Sequence, residues 1–232
     1  MNNEIGLFKN QKEQILAYIH KKLLQPITHR VLQNFPPDRG FKQNKIDIAK
    51  WLSECAHDGR ELHMYIAIPF CTHKGVDKKR PEKCGFCLLP TVPFSKKIFK
   101  QYFDVLINKE LPLYAKYLGR NISMHPVDSI FLGGGTPNIM TMDLYTRLLD
   151  AIRKHFMVKQ DAEITTEGTP ELYSYEKISH FRELGGTRIS FGVQQFNEDL
   201  LPLSGRKVSK DHTQKMISHA IKTGLSVSID LG

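Results

Sequence analysis

Three of the chain's four cysteines fall inside one stretch, CTHKGVDKKRPEKCGFC, as Cys71, Cys84 and Cys87. Cys84 and Cys87 enclose only Gly85 and Phe86, a spacing that lets two thiolates grip one metal ion or cluster from a tight turn. Cys71 stands across a basic insert running from Thr72 to Lys83. A loop of that length returns easily, because closure entropy grows slowly with loop length. Three thiolates could hold a [4Fe–4S] cluster and leave one iron open to an outside ligand. A structural zinc ion completed by His73 or Cys55 competes with this, although such sites usually show two close pairs and only one is visible. By spacing alone the two metals stay open, with purely structural cysteines as a third reading.

A second set of unusual residues lies further along. GGGTP at 133–137 follows an apolar run, and its glycines expose backbone N–H and C=O groups while Thr136 adds a hydroxyl. It lacks the trailing Lys and Ser/Thr of a phosphate loop and is no full dinucleotide fingerprint. Glu167, Gln194 and Asp230 offer acceptors and an amide suited to ribose hydroxyls or an ammonium group. Arg206 could clamp a carboxylate with two parallel bonds. Singly, each also reads as an ordinary strand-end or surface polar group. His57, His63, His125, His155 and His180 form no ligand pattern.

These residues must be positioned by the elements around them. From Met64 onward short apolar strands alternate with helical stretches. The strands expected are MYIAIPF, DSIFLGG, AEITTEG, TRISFGV and LSVSIDL. Helical spacing in KIFKQYFDVLINKEL puts Ile98, Tyr102, Phe103 and Leu106 on one face. In TMDLYTRLLDAIRKHF, behind Thr141 as N-cap, it does the same for Leu144, Leu148, Ile152 and Phe156. SKDHTQKMISHAIKTG runs from a Ser209 cap to a stop at Gly224. Strands joined by helices pair in parallel through right-handed crossovers, as a doubly wound sheet or part of a barrel. Cys71, Gly133–Thr136, Glu167, Gln194 and Asp230 each fall at or near the carboxyl end of a successive strand, the functional rim of such folds. Residues 1–60 are expected to form a helical N-terminal region, with helices in KEQILAYIHKKLL and KIDIAKWLSECA, and residues 61–232 the core.

Bulk composition narrows the class without deciding it. At 232 residues, 41% hydrophobic and 25% charged, the chain has apolar mass for a substantial core and no run of membrane length. No secretory signal is seen at the start, and clustered cysteines without a disulfide pattern suit the cytoplasm. The net charge of +9 fits an anionic substrate. It is spread through helices without an aromatic-rich RNA-binding strand, so nucleic acid ranks below enzyme chemistry.

Six ordered blocks, YIAIPFC, CGFC, FLGGGTP, TTEGTPE, GGTRISFGVQQFNEDLLPLSGR and SIDLG, resemble the radical S-adenosylmethionine (SAM) enzymes of the oxygen-independent coproporphyrinogen III oxidase group. That group includes haem-chaperone-like members, anaerobic haem-degrading enzymes and class C radical SAM methyltransferases. The resemblance covers residues 60 to 232 and implies a partial (β/α) barrel with a [4Fe–4S] cluster on Cys71, Cys84 and Cys87. It further implies one or two SAM molecules, the first split by one electron from a donor such as flavodoxin or ferredoxin into methionine and a hydrogen-abstracting 5′-deoxyadenosyl radical. Tyr65, Phe86, Gly134, Gly135 and Thr136 would lie against SAM. Glu167, Gln194 and Asp230 would make its polar contacts, and Arg206 would take its carboxylate. Porphyrinogen propionates fit the charge as substrates. Methyl transfer, haem degradation, haem delivery and a non-catalytic zinc module are the rival readings.

Three departures from the family pattern are visible. Relatives usually carry three residues between the first two cysteines, so Thr72 to Lys83 is expected to form a surface excursion that leaves Cys71 in place. Ala67 stands where many relatives have His. A sixth strand and a C-terminal substrate region are expected beyond Gly232, and activity that needs them is not expected of this stretch alone.

Overall fold

A computed structural model describes residues 47–55, 61–71, 91–118, 125–206 and 208–231. The expected helix over residues 12–24 lies outside them, as do Cys84, Phe86, Cys87 and the insert. Of the second N-terminal helix, α1 (Ile48–Cys55) is described.

The main sheet has five strands: β1 (Leu62–Ile68), β4 (Val127–Gly134), β5 (Val158–Gly168), β6 (Arg188–Gln194) and β7 (Ser226–Leu231). They lie side by side in that order, every pair parallel. A doubly wound sheet reverses direction at a switch point. Here spatial order follows chain order throughout, so right-handed crossovers put successive helices on the same side. This is the winding of a barrel, and it settles the choice left open above.

The expected first strand is broken at Pro69, which has no N–H to give to a ladder. Phe70 and Cys71 form a separate two-residue strand, β2, parallel to β3 (Val92–Pro93). The crossovers are carried by α2 (Lys96–Val105), α3 (Leu111–Leu118), α4 (Met142–His155), α5 (Tyr175–Glu183) and α6 (Lys210–Lys222). Helices α3, α4, α5 and α6 pack against one another in succession. Two caps match expectation: Thr141 Oγ1 accepts from Leu144 N at 3.3 Å, and Ser209 Oγ from His212 N at 3.1 Å. Gly224 follows the end of α6 at φ +82°.

Three features depart from the periodicity reading. Helix α5, capped by Ser174, had no place in it. The stretch ending at Leu111 continues instead to Leu118 through a π-helical turn, Leu106–Glu110. Pro112 would clash with the carbonyl four residues back in a regular helix, and a wider turn just before it relieves that clash. The buried face of α2 is also rotated. Phe103 and Leu106 are buried and Phe99 packs beside them, whereas Ile98 is 54% exposed. Ile98 sits about a quarter-turn from the centre of the Phe99, Tyr102, Phe103, Leu106 stripe.

Alternation along the strands sorts the two sheet faces. Ile66, Ile68, Ile130, Leu132, Ile164, Ile189 and Phe191 are buried in the layer shared with the helices, where Leu148, Ile152, Phe181 and Met216 meet them. The opposite face carries Tyr65, Phe131, Thr165 and Arg188 in one cross-strand row. Emptying a filled core site costs about 2–5 kcal/mol, whereas trimming an exposed apolar side chain costs under about 0.5 kcal/mol. Ile152→Ala should therefore lower unfolding free energy by that larger amount in urea titration. Ile98→Ala should leave it within the smaller one.

Candidate functional site

Everything at the rim begins with the turn after β4. Gly135 N donates to Ile68 O and Thr136 N to Phe70 O, each at 2.8 Å, stitching the turn to the segment that carries Cys71. A Cβ on Gly135 would run into the carbonyl of Phe70, and Gly134 holds φ +109°. Both positions therefore need glycine. The stitching puts Thr136 Oγ1 3.4 Å from Cys71 Sγ, as donor to sulfur. Cys71 is buried at 9% exposure, with the Thr136 hydroxyl as a donor to its sulfur.

Next along the rim, Glu167 accepts from Gly134 N at 3.3 Å through Oε2. That oxygen and the Tyr65 hydroxyl stand 3.0 and 2.9 Å from where a Gly133 Cβ would be, so the two share one small space. Tyr65 stacks on Phe131 with ring centres 5.7 Å apart and stays 58% exposed. Asp230 accepts from Ser190 Oγ at 3.2 Å on the neighbouring strands. Burial raises the Glu167 carboxyl above its ordinary value, the Gly134 N–H opposes that rise, and the charge of Asp230 adds to it. Burial, then the charge of Glu167, pushes Tyr65 up as well. A carboxyl held up by burial and by a neighbouring negative charge is relieved by a cation, so Glu167 is placed to meet one.

The third part closes the row. Gln194 ends β6 at φ +66°, a left-handed backbone that a non-glycine residue adopts at a cost. Its amide and the Arg206 guanidinium lie over Gly192, with Gln194 Nε2 at 3.4 Å and Arg206 Nη2 at 3.5 Å from where a Cβ would stand. Arg206 is only 7% exposed and donates through Nη1 to Thr169 Oγ1 at 3.2 Å and to Gly192 O.

The structure thus brings Cys71, Tyr65, Gly134, Gly135, Thr136, Glu167, Gln194, Arg206 and Asp230 to one strand-end rim. Cys84, Phe86 and Cys87 lie outside the described residues, as does the zinc-ligand candidate His73. Sequence reasoning passed over Ser190, Thr169 and Asn138, whose roles depend on cross-strand and loop-to-loop contacts. Of the described histidines, His63 meets Ser129 Oγ at 2.9 Å and His180 meets Thr146 Oγ1 at 2.9 Å.

The radical SAM superfamily model matches residues 65–231, which spans the whole rim. The chain belongs to the radical SAM superfamily. Radical SAM proteins use a [4Fe–4S] cluster and SAM. The buried, hydroxyl-bonded Cys71 and the side-chain-free glycine turn beside it fit that pair. The chain is 33% identical over 177 residues to the oxygen-independent coproporphyrinogen III oxidase of Escherichia coli, covering 74% of this chain and 35% of that one. It is 29% identical over 176 residues to the haem chaperone HemW of Buchnera aphidicola, covering 73% and 42%. The solved E. coli coproporphyrinogen III oxidase, HemN, superposes with a TM-score of 0.73 at 26% identity, covering 86% of this chain and 43% of that one. The chain therefore spans well under half the length of these relatives. Among the described residues no helix is long and apolar enough to cross a membrane.

The raised Glu167 gives a pH test with a fixed sign. A carboxyl raised in the folded state binds its proton more tightly there than in the unfolded chain, so stability falls as pH rises through the ordinary carboxyl value toward the raised one. Unfolding free energy measured across that window should drop for the wild type relative to Glu167→Gln. Parallel curves would contradict the burial argument.

Proposed function

We propose that residues 61–232 bind a [4Fe–4S] cluster and SAM at this rim and start radical chemistry on a small anionic substrate, in the manner of the coproporphyrinogen oxidases. One observation carries the reading. Around the carboxyl ends of the five consecutive strands stand a buried, hydroxyl-bonded cysteine on the β2 segment that follows β1, an open glycine turn after β4, carboxylates near the ends of β5 and β7, and a buried arginine in the loop after β6. When bound, the cluster supplies the electron that splits SAM into methionine and a 5′-deoxyadenosyl radical able to take a substrate hydrogen.

The chain's own groups do the rest. Cys71, Cys84 and Cys87 would hold the cluster, and the groups beside Cys71 would receive the amino and carboxylate end of SAM. Glu167 and Asp230 offer negative charge and acceptors to the ammonium and the ribose hydroxyls. Gln194 adds an amide, and Arg206 takes the carboxylate. Gly134, Gly135 and Thr136 let SAM approach the backbone, while Tyr65 and Phe86 lie against it. The protein's part is positioning and electrostatics, and the cofactors supply the hard chemistry. A cytoplasmic setting keeps the thiolates reduced, and a one-electron donor such as flavodoxin or ferredoxin completes the system.

Haem delivery is the second reading, favoured by the similarity to HemW. Methyl transfer with a second SAM and haem degradation have no observation of their own to support them. Anaerobic reconstitution followed by SAM and dithionite separates the main readings. Iron and sulfide should be found, and 5′-deoxyadenosine should accumulate, rising when coproporphyrinogen III is added. Zinc without iron would remove the cluster, and haem binding without 5′-deoxyadenosine would favour delivery.

Hydrogen bonds to ligating sulfur help set a cluster's potential. Thr136→Val, which keeps the branched shape and removes the donor, should make the cluster harder to reduce. Spectroelectrochemical titration of wild type and variant reads the direction.

A further inference from the structure

The loops after β4, β5 and β6 are tied together by side chains to which the proposed function gives no contact with SAM. Asn138, fully buried in the turn after β4, pairs with the peptide of Thr169 in both directions. Its Nδ2 donates to Thr169 O at 2.8 Å, and its Oδ1 accepts from Thr169 N at 3.2 Å. Gly168 leaves room for this pairing, since a Cβ there would collide with the Asn138 amide. Lys177 of α5 binds the same two loops from the helix layer, donating through Nζ to Asn138 O at 2.9 Å and Leu172 O at 3.0 Å. The output of this bracing is one atom, the Oγ1 of Thr169. It accepts from Arg206 Nη1 at 3.2 Å while Gly192 O accepts from the same nitrogen.

We infer that Asn138 and Thr169 are positioning residues that lock the Arg206 guanidinium in the orientation required for the SAM carboxylate. The inference rests on Arg206 being the carboxylate partner, as proposed above. An arginine has many rotamers, and one already fixed loses little freedom when its ligand arrives. Two oxygens on one guanidinium nitrogen, one from the loop after β5 and one from strand β6 itself, restrain both the plane and the reach of the side chain. Thr169 is itself held rigid by Asn138. Geometry set in the β4 turn, next to Cys71, is thereby passed to the carboxylate site two strands away.

The test measures equilibrium binding of SAM and of decarboxylated SAM to the full chain with its cluster reconstituted, beside thermal unfolding. Thr169→Val removes the acceptor and keeps the shape, Thr169→Ser restores the hydroxyl, and Asn138→Leu removes the peptide pairing. Thr169→Val should weaken SAM about tenfold, the effect of losing one hydrogen bond to a charged group. It should leave decarboxylated SAM within twofold, and Thr169→Ser should behave as wild type. Asn138→Leu should show the same selective loss. Unchanged SAM affinity in Thr169→Val, or equal weakening of both ligands, would overturn the positioning role. Arg206→Ala serves as the reference. If it weakens SAM and spares decarboxylated SAM while Thr169→Val does not, the relay fails and the carboxylate assignment stands. If Arg206→Ala spares SAM, the assignment itself fails and the relay with it.

Discussion

The backbone of the β4 turn lies so close to the β1–β2 segment that no side chain fits between them, and the rest of the rim follows from that contact. Two hydrogen bonds from Gly135 and Thr136 to Ile68 and Phe70 fix the distance. Because Gly135 has no Cβ, Thr136 arrives beside Cys71. Because Gly134 takes a left-handed φ, its N–H turns toward Glu167. One local geometry thus places the sulfur, its hydrogen-bond donor and the first carboxylate. A larger residue at 135 would push the turn away and separate all three.

What the turn assembles is electrostatically unfavourable without a ligand. Glu167 is partly desolvated and faces the charge of Asp230, and both effects oppose its ionised form. Natural folds tolerate such pairs where a cation is to be bound, because the ligand's charge returns what desolvation removed. Gln194 adds a strained backbone at the same rim. Strain and repulsion concentrated at strand ends, above a well-packed layer of Ile, Leu and Phe, distinguish a site from a core.

Much of this was legible in the chain itself. Thr141 and Ser209 announce their helices because a cap is a local interaction, and the strands from 128 onward are found where alternation places them. The strand-end rule then located nearly the whole rim. What escaped depends on contacts distant in sequence. Helix α5 is short and its buried side rests on few residues, Ile178 and Phe181, too few for a clear period. The π turn before Pro112 reverses the usual meaning of a proline as a stop. Asn138 reads as an ordinary turn residue until Thr169, on another loop, comes within bonding distance. Ser190 is legible only once β6 and β7 are known to be neighbours.

The long spacing between Cys71 and Cys84 is compatible with this arrangement for a physical reason. Cys71 is held by the sheet and by Thr136, contacts that do not involve the insert. The chain that leaves at Cys71 returns at Val92 through the parallel β2–β3 pair, with Val92 N donating to Pro69 O at 2.7 Å and Phe94 N to Cys71 O at 3.1 Å. Cys71 and Val92, the described residues on either side of this stretch, are therefore held in one place. With its ends fixed, extra length costs only a slowly growing closure entropy, about 0.6 kcal/mol per doubling. Nine residues beyond the usual three in the first interval bring the stretch between Cys71 and Val92 to 20 residues, less than one doubling and so under about 0.6 kcal/mol on the same scale. That is small against the 5–15 kcal/mol by which domains are usually stable, so an insert at this point need not disturb the cysteine before it.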